Sequence, residues 1–152
     1  MPVDRSPGAQ FFDLGMMDDL ESAYSAAGRH PESAQVRVNQ FEGARREGET
    51  LADLQAKYSN AQIQQQVYLR TSDGRRAIDE GFTEEGRRLD FVVIQDGKVV
   101  DVVETASPTA RKSAHFEKEQ RIRANGGTFI RNRENRCLLD ICEVPTAEDR
   151  RR

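Results

Sequence analysis

The sequence predicts an α/β (α+β) fold built on strands at its centre and helices on either side. Two adjoining apolar runs carry the prediction, Leu89–Ile94 and Val99–Val103, separated by an Asp96-Gly97 turn signal. Each run is short, rich in β-branched residues and bounded by polar segments. Apolar residues at three-to-four spacing before them, and a polar helical run after Pro108, supply the helices. From Leu51 onward the order is helix, three strands, helix, strand, with further helices in front.

Element by element, residues 1–9 are an entry segment, and Phe11, Phe12, Leu14, Met16, Met17, Leu20 and Tyr24 space a helix over 11–27 that Gly28 closes. His30-Pro31 breaks the pattern. A second, weaker helix covers 32–46, and a third follows Thr50 as cap with Leu51, Leu54 and Tyr58 on one face. Residues 61–70 alternate enough to form a strand, 71–76 a turn and 78–86 a loop. The two apolar strands come next. Pro108 stops the second of them, Thr109 caps a helix to Ala124, and Asn125-Gly126-Gly127 ends it in a left-handed turn. Strands at 128–131 and 137–141 follow. The domain reading is a helical extension over 1–48, a core over 49–144 and a tail over 145–152.

Composition fits one modest core: 152 residues, 36% hydrophobic, no Trp. The net charge of −3 conceals a gradient, since residues 1–70 sum to −3, 71–110 to −4 and 111–152 to +4. An acidic centre followed by a basic segment suits a metal-dependent enzyme acting on a polyanion. Cys137 and Cys142 are read as buried thiols of a cytosolic fold, because five-residue spacing in a strand turns them to opposite faces. With only His30 and His115, no Cys/His set has zinc spacing. The apolar runs are too short to span a bilayer, so no membrane partner is expected.

The chemistry concentrates in two acids. Asp90 and Glu104 each sit inside a Val/Ile/Leu-rich strand, where a carboxylate is costly unless a cation or metal compensates it. A two-residue Asp96-Gly97 loop in a regular hairpin turns them to opposite faces of the sheet. A three-residue Gln95-Asp96-Gly97 loop with a glycine bulge brings them to one face, with Val92, Ile94, Val100 and Val102, while Phe91, Val93, Val99, Asp101 and Val103 line the other. A site requires the second arrangement.

The runs Gly86-Arg87-Arg88-Leu89-Asp90-Phe91-Val92, Val103-Glu104-Thr105-Ala106-Ser107-Pro108-Thr109-Ala110-Arg111-Lys112 and Lys118 to Arg131 resemble the PD-(D/E)xK nuclease superfamily, the restriction-endonuclease-like fold with its αβββαβ core. More narrowly they are similar to the C-terminal toxin modules of bacterial polymorphic effectors of the Rhs and contact-dependent-inhibition types. The resemblance implies a magnesium-dependent endonuclease using Mg²⁺ or Mn²⁺, with Asp90 and Glu104 as metal ligands. Ala106 stands where the Glu-x-Lys lysine belongs, which leaves Lys112 as the substitute, with Lys118 in reserve. DNA is the first substrate and RNA, tRNA in particular, the second; a catalytically silent nucleic-acid-binding or interaction domain is the alternative from another class. Further implications are a larger parent polypeptide, a cognate immunity protein, synthesis in a bacterial cytoplasm and delivery by a specialised route such as type VI secretion into a target cell.

Around that centre, Arg87 and Arg88 are candidate guides for the substrate backbone, and Ser107, His115, Lys118, Arg121 and Arg123 candidate phosphate contacts. Each has a plainer role available: Ser107 as a local cap, His115 as a boundary residue, and the helix cations as solvated Glu–Lys and Glu–Arg neighbours.

Overall fold

Alternation of apolar and polar residues in the centre of the chain becomes a mixed sheet in the computed structural model, which describes residues 31–152. The elements are α1 (Pro31–Lys57), β1 (Gln62–Tyr68), β2 (Arg88–Gln95), β3 (Lys98–Ala106), α2 (Ser113–Ala124), β4 (Phe129–Arg131), β5 (Leu138–Asp140) and β6 (Thr146–Arg150). The protein is thus mixed α/β. The helix expected over 11–27 and the entry segment lie outside the described residues. Two compact units divide the chain, residues 1–45 and 46–152.

Where two helices were expected over 32–46 and after Thr50, α1 is continuous. Thr50 is not a cap: it lies within the helix, and its hydroxyl bonds Asp149 at 2.8 Å. Leu51 and Leu54 of α1, with Tyr58 just beyond its end, pack against Phe91, Val93 and Val103 on one face of the sheet. On the other face, Val67, Leu89, Val92, Ile94, Val99 and Val102 meet Ile122 of α2 and Ile130 of the small β4–β5 sheet.

The strand order is β1-β2-β3-β6, with β1, β2 and β3 antiparallel neighbours and β6 parallel to β3. Residues 145–152, expected as a tail, contain that fourth strand. Thr146–Arg150 has no apolar alternation, and it is the exposed edge that permits so charged a strand.

The β2–β3 connection sets the register of the two acid-bearing strands. Gln95 pairs with Lys98 across a two-residue turn whose Asp96 and Gly97 both have positive φ, 54° and 75°, the twist that suits a tight hairpin. Further along, Val93 faces Asp101 while Ile94 faces Val99, so Val100 is the unopposed residue of a bulge. The register beyond the bulge pairs Phe91 with Val103, and Asp90 lies close enough to Glu104 to feel its charge. The register shift expected of a three-residue loop is thus supplied by a bulge in β3. Val99 accordingly joins Val92 and Ile94, and Val100 turns outward.

Other expectations shift as well. The second helix begins at Ser113 with Lys112 at its N-cap position and no side-chain cap, four residues beyond Thr109. Its end does contain a left-handed glycine, Gly126 at φ 92°, with the Gly127 N–H donating to the Ile122 carbonyl. Cys137 and Cys142 are both exposed and free, not buried. Among the described residues no helix is long and apolar enough to cross a membrane.

Candidate active site

At the end of the sheet where β2 begins and β3 ends, Asp90 and Glu104 lie together, and α1 delivers a third carboxylate, Glu47. Burial, then Glu104, then Glu47 push the Asp90 carboxyl up to about 7, against the Thr105 N–H, which it accepts at 3.0 Å, and Lys112. Burial and then Glu104 also raise Glu47, with Arg88 and Lys112 opposing. Acids crowded this way resist ionising together.

Glu104 is only 3% exposed, yet both of its oxygens are engaged. Oε1 accepts from Arg87 at 3.1 Å and Oε2 from Lys112 at 3.0 Å. Arg87, itself 5% exposed, also donates to Glu119 at 3.0 Å, and Glu119 accepts from Arg123 at 3.1 Å. Lys112, Glu104, Arg87, Glu119 and Arg123 thus form an alternating ladder of charge from the site into the body of the fold. Such a ladder is stable only while each buried charge keeps its partner.

No family model, curated protein or solved structure matches this chain.

The donor set is carboxylate oxygen throughout, the chemistry that Mg²⁺ and Mn²⁺ prefer. Among the described residues no three His, Cys, Asp or Glu side chains are gathered closely enough to hold an ion alone. Mg²⁺ does not require that, since one or two carboxylates, waters and substrate phosphates complete its octahedron. Each Glu104 oxygen keeps a second lone pair beside its hydrogen bond. The residues present therefore fit such an ion, with Asp90 and Glu104 as its holders and Glu47 beside them.

The remaining candidates separate into those near the carboxylates and those engaged elsewhere. Lys112 reaches Glu104 from the entrance of α2. His115 is exposed, and partial desolvation, then Arg87 and Lys112, hold its imidazole below the ordinary value. Arg88 is exposed and acts on Glu47. Arg87 and Arg123 are turned inward, and Arg123 also donates to the carbonyls of Ile141 and Val144 at 3.0 Å. Arg121 makes a two-pronged bond to the buried Asp79, 2.9 and 2.8 Å. Lys118 pairs with Glu85 at 3.1 Å. Ser107 offers its carbonyl to Arg150 at 2.8 Å. The cations of α2 are mostly committed to the protein's own carboxylates.

Glu47, Glu119 and Asp79 were not singled out by sequence. For Glu47 a signal exists: with Thr50, Leu51 and Leu54 it continues one helical stripe a turn earlier. Glu119 and Asp79 stand among like residues on polar segments, and nothing in their spacing distinguishes them.

Proposed function

We propose that residues 46–152 are a Mg²⁺- or Mn²⁺-dependent nuclease of the restriction-endonuclease-like fold, the toxin end of a larger bacterial effector, cutting DNA. The observation that carries the proposal is the pair Asp90 and Glu104 on adjacent strands with the Lys112 ammonium 3.0 Å from Glu104. The succession α1, β1, β2, β3, α2 supports it, being the first five elements of that superfamily's core; the strands expected to follow, β4 and β5, form a separate two-stranded sheet, and it is β6 that joins the main sheet, parallel to β3. When bound, the metal neutralises charge on the phosphate and activates water.

The chain's own residues do the rest. Asp90 and Glu104 hold the ion, and the crowding that raises Asp90 is released when they do. Lys112 occupies the role that Ala106 cannot fill: its ammonium, a quarter exposed, lies where it orients the attacking water or stabilises the transition state electrostatically. Arg87 fixes Glu104 from behind. Delivery into a competing cell and neutralisation by an immunity protein belong to the same proposal.

Incubation with plasmid DNA and total RNA, with Mg²⁺ or with EDTA, is the test. DNA cleavage that needs the metal and disappears in Asp90→Ala and Glu104→Ala is the expected result. Lys112→Ala is expected to lower the rate about 10²–10³-fold. Cleavage of RNA alone moves the substrate to tRNA or another RNA. If neither polymer is cut while binding persists, the domain is a silent binder and the enzyme reading is lost.

A further inference from the structure

With the α2 cations paired, the basic surface lies elsewhere. Two separate segments, 70–76 and 131–136, are stitched together where Arg70 and Phe129 exchange backbone hydrogen bonds at 2.7 and 3.1 Å. A bridge also joins Arg70 to Arg76. These segments carry Arg70, Arg75, Arg76, Arg131, Arg133 and Arg136 against two acids, Asp73 and Glu134. Burial and then the neighbouring Arg131, Arg76, Arg133 and Arg136 hold the Arg70 guanidinium below its ordinary value. So many like charges side by side repel one another unless an anion joins them.

The guanidinium groups are held in place. Arg133 donates to the Gln65 and Gln66 carbonyls of β1, both at 2.7 Å, and Arg131 to the Arg136 carbonyl at 2.7 Å. Arg76 lies over the Tyr68 ring, 3.6 Å from its centroid. Arg75 is 85% exposed beside Asp73. Planar forks fixed at several points suit phosphate oxygens better than lysines on loose stems do.

We infer that this arginine surface is a docking site for a nucleic-acid backbone that leads toward the Asp90–Glu104 end of the sheet. Continuity argues for nucleic acid over an acidic protein. Tyr68, at the end of β1 and under the Arg76 guanidinium, pairs with Arg88, two residues before Asp90, so the arginine surface borders the strand that carries Asp90. The guanidinium over Tyr68 also offers a flat platform for a base or sugar. This inference deepens the nuclease proposal and rests on it for the direction of the path.

Binding is measured in EDTA, where nothing is cut, by fluorescence anisotropy of short labelled DNA duplexes and single-stranded RNA across about 50–200 mM salt. The variants are Arg75→Gln and the Arg75→Gln/Arg136→Gln double, chosen because both side chains are exposed, with circular dichroism as the fold check. Lys98→Gln, beside the hairpin turn at the other end of the sheet, is the control. The double variant is expected to bind about tenfold more weakly, with the slope of log K against log salt reduced by about 2, and the control to be unchanged. Wild-type affinity and slope in the double variant would overturn the inference. So would labelled polyglutamate binding in an Arg75- and Arg136-dependent way while both nucleic acids fail to bind, which assigns the surface to an acidic polypeptide. The two proposals fail separately: binding that needs these arginines without any metal-dependent cleavage removes the nuclease and leaves the surface. Metal-dependent cleavage with an unchanged KM in the double variant removes the surface and leaves the nuclease.

Discussion

Asp90 is where one side chain decides most. Its carboxyl is pushed from its ordinary 3.8 to about 7 by burial, Glu104 and Glu47, so the folded chain binds that proton more tightly than the unfolded one. Stability from this group is complete at pH below about 4 and is lost as pH rises to about 7. Asp90→Asn keeps an oxygen for the Thr105 N–H and removes the charge. It is therefore expected to abolish cleavage yet stabilise the metal-free protein at pH 8 by roughly 2 kcal/mol, a melting shift of about 4–8 °C that shrinks as pH falls toward 4. Mg²⁺ is expected to raise the melting temperature of the wild type at pH 8 more than at pH 5, and to leave Asp90→Asn unmoved. Thermal melts at both pH values check this, and a destabilised Asp90→Asn at pH 8 would show that Asp90 does not sit in repulsion. Asp90 and Glu104 were legible because an acid inside a valine-rich run has few explanations. Glu47 carried only the weak signal of its helical stripe, which is masked because beside Arg45 and Arg46 an acid reads as one more charge on a solvated helix.

At the level of elements, the site depends on strands and a helix held in register by the buried ladder. Arg87 precedes β2, Glu104 lies near the end of β3 and Glu119 lies on α2, so one guanidinium ties three elements. Arg87→Ala leaves two carboxylates buried with fewer partners and is expected to cost about 3–5 kcal/mol, read from urea unfolding. Arg87→Lys restores only part, since a single ammonium does not reproduce a planar fork. A loss under about 1 kcal/mol for Arg87→Ala would mean that water replaces the guanidinium and that the ladder does not hold the site. Sequence placed Arg87 on the surface as a substrate guide, because two adjacent arginines before a strand carry no mark of which one turns inward. The strands themselves were legible from alternation, but the parity of their acids was not. It rests on a bulge at Val100, and Val99, Val100, Val102 and Val103 are too alike for the sequence to say which of them steps out.

At the scale of the whole unit, β6 is the element whose removal should matter most for its size. Residues 145–152 are charged and lack alternation, so periodicity left them as a tail; only the partner surface, the edge of β3, turns them into a strand. Val102 to Ala106 pair with Thr146 to Arg150, and Arg151 donates its N–H to the Ala106 carbonyl at 2.7 Å. Side chains add to the ladder: Thr146 donates its hydroxyl to Glu119, Thr50 of α1 donates to Asp149, and Arg151 pairs with Asp149 at 2.8 Å and with Asp53. Ending the chain after Pro145 removes these at once and exposes the backbone edge of the strand that carries Glu104. At about 1 kcal/mol for each net hydrogen bond, the loss is on the order of 4–5 kcal/mol, a large share of the 5–15 kcal/mol typical of a domain. The truncated chain is therefore expected to melt about 8–20 °C lower, to be cut quickly by trypsin and to lose metal-dependent cleavage even though no proposed catalytic residue has been touched. A tail would be dispensable. If the shortened protein melted within about 2 °C of the full chain, the strand would add nothing to the fold, and the edge of β3 would have to be stable without it.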